Sequence, residues 1–132
     1  MIGLVLLAHG QLAVESLRSA EMIVGPIAQC QAIAIERHMA PHVSSARLRT
    51  ALDEVGSDDE GVLILTDMFG GTPTNIAADF LLPDKVDILV GFNLPLLLKA
   101  ASARQQMSLV ELADFLVNYA EKTIMRPATL LK

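Results

Sequence analysis

The chain has 132 residues, 15 acidic and 10 basic side chains and a formal net charge of −5. A hydrophobic content of 52% and a mean hydropathy of +0.47 exclude a disordered chain, and the length suits one domain with a core of its own. A pI near 5.0 argues against nucleic acid or an anionic membrane as the main partner, because both call for a basic surface.

In chain order, Ile2 to Leu7 is nearly all apolar and too short for a helix, so it reads as a strand covered on both faces. No basic residue precedes it, the first being Arg18, so the N-terminus does not read as a signal peptide. From Gln11 to Val24, Ala13, Leu17, Ala20 and Val24 recur at helical spacing, and Gly25-Pro26 ends the segment. Gln29 to Ile35 is a second strand. It carries Cys30, which reads as a small core residue; as the single cysteine it excludes an internal disulfide. A loop with Pro41 follows. It separates His38 from His42, so the two do not share a helix face and do not read as metal ligands. Leu48, Ala51, Leu52 and Val55 then mark a helix that Gly56 ends, and Asp58-Asp59-Glu60 reads as a solvated turn.

Gly61 to Thr66 is the clearest strand. It runs into Asp67-Met-Phe-Gly-Gly-Thr-Pro-Thr-Asn75, where Thr72 has the character of an N-cap and Pro73 of a first helical residue. Val86 to Val90 is a fourth strand. The apolar stretch Ile88 to Ala101 beyond it is broken by Asn93, Pro95 and Lys99, short of a membrane span. Ser108 and Glu111 form a capping box for a last long helix. Past that helix, Ile124, Met125, Leu130 and Leu131 need cover, and an edge strand or an arm onto a second subunit supplies it. The alternation predicts one α/β domain over residues 1–132, a three-layer sandwich with a mainly parallel sheet and helices on both faces.

Ligands gather at the carboxyl ends of strands in such sheets. Strand one delivers His9 and Gly10, strand three delivers Asp67 to Thr72, and strand four delivers Gly91, Phe92 and Asn93. A neutral imidazole is a nucleophile able to accept a phosphoryl group, and a carboxylate on its other nitrogen fixes the tautomer. His9 and Asp67 supply that pair. Gly70, Gly71 and Thr72, leading into a helix, suit the phosphate oxygens. Met68 and Phe69 read equally as core or as a contact surface for a protein partner. Taken singly, each feature has a structural alternative; their joint occurrence on one sheet edge favours the chemical reading.

Leu-Ala-His9-Gly, Leu-Thr-Asp67-Met-Phe-Gly-Gly-Thr-Pro-Thr-Asn75 and Gly91-Phe-Asn93-Leu-Pro-Leu-Leu together resemble the enzyme IIA domains of the mannose/fructose/sorbose class. Those domains belong to the bacterial phosphoenolpyruvate-dependent sugar phosphotransferase system. The resemblance implies that His9 takes phosphate on Nε2 from phospho-HPr and passes it to a histidine of an enzyme IIB. It implies that Asp67 holds the Nδ1 proton, and that Thr72 stands where the family carries Ser or Thr. It further implies a homodimer with an exchanged C-terminal strand and no metal or organic cofactor; the cytoplasmic location expected of the chain rests on its acidic composition and on the lack of a signal-peptide or spanning pattern. Two residues depart from the pattern: Ala8, where many relatives carry a hydroxyl, and Pro127, inside the expected exchanged strand. A regulatory IIA protein, without a fused IIB domain, is the alternative function. The related subunit of dihydroxyacetone kinases fits the motifs less well. An aspartate-nucleophile phosphatase is set aside because Phe69 stands where a second carboxylate is needed.

Overall fold

Four short apolar runs form one parallel sheet in a computed structural model whose described residues are 1–131. The strands are β1 (Gly3–His9), β2 (Cys30–Ile35), β3 (Val62–Thr66) and β4 (Val86–Val90), in the order β2-β1-β3-β4. Both central strands are buried throughout except at His9. Side chains of β1 alternate between two cores. Leu4, Leu6 and Ala8 enter one with α1 (Leu12–Val24), α4 (Leu94–Ala103) and α5 (Leu109–Ala120). Val5 and Leu7 enter the other with α2 (Pro41–Val55) and α3 (Thr72–Ala78). The expected three-layer α/β sandwich is therefore present, with period-2 alternation feeding both faces. No helix among the described residues is long and apolar enough to cross a membrane.

Several boundaries differ from the sequence reading. The first strand runs two residues further than its apolar run, so His9 is its last residue and pairs with Ile35 of β2. Pro41 is not in a loop but is the first residue of α2, where its missing N–H costs nothing. Val24 ends the stripe of α1 but stays 57% exposed, because Gly25 at φ +83° has already turned the chain away. At α5 the capping box forms as expected: the Ser108 hydroxyl accepts from Glu111 N–H, and the Glu111 carboxylate accepts from Ser108 N–H.

The tail gives the largest difference. No strand forms after α5 among the described residues; a turn leads to the four-residue helix α6 (Pro127–Leu130). Pro127 fits at the start of that helix, as its fixed φ dictates. Ile124, Met125, Leu130 and Leu131 remain largely exposed in the single chain.

Candidate functional site

The chain passes from β1 to β2 on one side, then returns to place β3 on the other side of β1. The crevice of the sheet therefore lies beyond the carboxyl ends of β1 and β3. His9 ends β1, and Asp67 follows β3. Their side chains meet there, with His9 Nδ1 2.7 Å from Asp67 Oδ2. The same carboxylate oxygen accepts the His9 backbone N–H at 3.1 Å, and Oδ1 accepts the N–H of Met68 at 3.1 Å.

The two groups differ in solvent access: the His9 side chain is 50% exposed and that of Asp67 only 11%. Burial pushes the Asp67 carboxyl upward, but hydrogen bonds from the His9 ring and from the backbone outweigh it and hold the group below its ordinary value. Asp67 is thus ionised at neutral pH, and an ionised carboxylate can only accept. Nδ1 must then carry the ring proton, which leaves the Nε2 lone pair of a neutral ring free. That nitrogen, on a half-exposed ring, is the one available to an electrophile.

The loop after Asp67 is shaped around the ring. A Cβ on Gly71 would lie 2.7 Å from His9 Cε1 and 3.3 Å from Nε2, so only glycine leaves room for the imidazole. Gly71 also takes the N-cap position of α3, in extended conformation and without a side-chain bond. This corrects the expectation for Thr72 and Pro73, which are the first and second helical residues. Relieved of capping, Thr72 lines a groove of about 580 Å³ together with His9, Gly10, Glu36 and Arg37. Gly70 adopts φ +85°, the turn that brings Gly71 under the ring. Met68 and Phe69 are 55% and 84% exposed, which removes the core alternative for both.

Other expected positions are turned to structural work. Asn93 caps α4, its Oδ1 accepting from Leu96 N–H at 3.0 Å, while its Nδ2 donates to Thr123 Oγ1 at 2.8 Å. It joins α4 to the tail rather than to His9. His38 lies in an exposed turn and His42 in the first turn of α2. Cys30 packs against the core, and burial pushes its thiol up to about 12.

Two residues escape the sequence reading. Thr74 Oγ1 donates to the Met68 carbonyl at 2.6 Å and lies 2.8 Å from the Thr66 hydroxyl, which must then be the donor to it. This buried pair pins the Asp67 loop to the end of β3. Arg37 is the second: it follows Ile35 and Glu36 at the carboxyl end of β2 and lines the groove with His9.

Residues 3–117 match the family model EIIA-man, the PTS system fructose IIA component. The chain belongs to that family. It is 32% identical over 115 residues to the "PTS system fructose-specific EIIA component" of Bacillus subtilis, covering 86% of this chain and 78% of that protein. It is 29% identical over 125 residues to the "PTS system sorbose-specific EIIA component" of Lacticaseibacillus casei, covering 90% of this chain and 86% of that one. Among solved structures, the PTS IIA protein associated with the fucose utilization operon of Streptococcus pneumoniae superposes with a TM-score of 0.86. The identity there is 28%, with 98% of this chain and 96% of that chain covered. As a IIA component of the mannose class, this chain has a phosphotransfer role in a sugar phosphotransferase system.

Proposed function

We propose that the protein is a phosphohistidine carrier in which His9 takes a phosphoryl group from phospho-HPr and passes it to a histidine of an enzyme IIB during sugar uptake. The observation that carries this reading is the 2.7 Å contact of His9 Nδ1 with the Asp67 carboxylate. That contact leaves Nε2 as the nucleophile. Its lone pair forms the bond to phosphorus as the bond to the donor breaks, and the donor keeps that electron pair. The ring gains positive charge while the Nδ1 proton stays on the hydrogen bond to Asp67, whose ionised state offsets that charge. Passing the group to the IIB histidine reverses the same steps and returns the neutral ring.

Gly70, Gly71 and Thr72 serve the phosphoryl oxygens through the open backbone of the loop and the Thr72 hydroxyl. Met68 and Phe69, apolar and exposed beside His9, contact the protein partners; such residues otherwise have little reason to face water at a catalytic turn.

Incubation with phosphoenolpyruvate, enzyme I and HPr is expected to add one acid-labile phosphate per chain, and none to His9→Ala. Asp67→Asn is expected to slow transfer by roughly two orders of magnitude, with an unchanged circular dichroism spectrum. Label that survives His9→Ala would remove the site assignment.

A further inference from the structure

Building on that carrier reading, we infer that Arg37 is the cation that binds the phosphoryl group on His9. The need for one follows from charge. A phosphoryl group brings a charge of about −1.5 to −2 into the groove. The groove already borders the Asp67 carboxylate through His9, includes Glu36, and sits on a chain of net charge −5. Arg37 is the lysine or arginine among the residues lining that groove.

Its position is set by the sheet. Ile35 lies level with His9 across the parallel β1–β2 pair, and its carbonyl accepts the Gly10 N–H at 2.9 Å. Arg37 follows two residues on, in the turn that the Met39 N–H closes onto the Glu36 carbonyl at 3.1 Å. That turn puts the long Arg37 side chain along the same groove that His9 and Thr72 line.

Arg37 is also uncommitted. The ion pairs among the described residues involve the Met1 amino group, His9, Arg18 and Lys85, not Arg37. Its neighbour Glu36 is engaged by the Gln11 amide at 2.8 Å. Arg49, by contrast, stacks over Phe80 at 4.9 Å and lines a different groove. A guanidinium offers two parallel N–H donors to two phosphoryl oxygens, and no proton or covalent bond changes on Arg37 during transfer. In phosphoryl transfer, charge spreads over the equatorial oxygens, where such a fork acts on the transition state as well as on the phosphorylated form.

The test compares wild type, Arg37→Ala and Arg37→Lys as full chains. Transfer from phospho-HPr is followed in time, and the phosphorylated proteins are titrated by phosphorus NMR. Arg37→Ala is expected to slow transfer roughly tenfold to hundredfold. It should also raise the pH at which the phosphoryl group loses its last proton, because the cation that favours the dianion is gone. Arg37→Lys should restore most of the titration shift and only part of the rate. An unchanged titration in Arg37→Ala would overturn the inference. The same holds if the rate falls only through a higher KM for phospho-HPr, which would assign Arg37 to docking the donor. Failure of wild type itself to take label would overturn the carrier reading instead, a result visible before any variant is compared.

Discussion

Gly70 and Gly71 are adjacent, yet each is required for a different physical reason. Gly70 has φ +85° and nothing within 4 Å of where a Cβ would stand, so a side chain there meets only backbone strain. Gly71 has an ordinary φ of −87°, but its absent Cβ is the space in which the His9 ring sits. Gly70→Ala should therefore cost about 1–2 kcal/mol of stability, read by thermal denaturation. Gly71→Ala should leave stability within about 1 kcal/mol while displacing the imidazole from Asp67. A displacement near 1 Å is enough to slow phosphotransfer roughly 100-fold. The measurement is a stability curve and a transfer rate on both variants, and equal effects on both quantities would contradict the separation. In the sequence the two glycines read alike, as backbone open to an anion. What distinguishes them is the close approach of Gly71 to the His9 ring, made between residues 9 and 71, that no local pattern encodes.

At the scale of elements, the readable features are those written in local chemistry. The strands β3 and β4, the Ser108–Glu111 box and the helix stripe of Leu48, Ala51, Leu52 and Val55 all appear where apolar spacing and capping residues place them. The first two turns of α2 are hidden because His42, Ser44 and Ser45 carry no apolar stripe, although Ser44 is buried. Arg104 is hidden for the opposite reason, since a charged residue after a helix reads as surface. It is instead 4% exposed, and burial lowers its pKa. Its Nη1 donates to the carbonyl of Ile2 at 3.1 Å and of Gln29 at 3.3 Å, and Nη2 to that of Ala28 at 2.6 Å. One side chain thus fastens the end of α4 to the start of β1 and the turn before β2. Arg104→Met keeps the packing stem but strips these carbonyls of their donors. It should lower unfolding free energy by roughly 2–3 kcal/mol in a denaturant titration. Phosphotransfer per folded molecule should not change, because this fastening lies at the end of β1 opposite His9.

At the scale of the whole molecule, the segment after α5 lacks cover. Ile124, Met125, Leu130 and Leu131 are 81%, 60%, 63% and 83% exposed, although burial of each such side chain is worth about 1.5–3 kcal/mol. The segment is tethered at its start, where Thr123 meets Asn93, and then runs off the domain. β4 is an edge strand, joined to β3 on one side and, on the other, only bridged from Leu82 to Val86. An apolar segment without cover and a strand with a free edge are complementary, and two copies of the chain would satisfy both at once if they exchanged tails. In that arrangement the turn and α6 give way to an extended segment, with Pro127 held to a position that needs no ladder hydrogen bond. The full chain is accordingly expected to sediment as a dimer, at twice 14.2 kDa. The double substitution Ile124→Asp with Leu130→Asp should give a monomer with the same circular dichroism, because neither side chain contributes to either core of the single chain. If wild type and the double variant sediment alike as monomers, the exposed tail does not serve self-association.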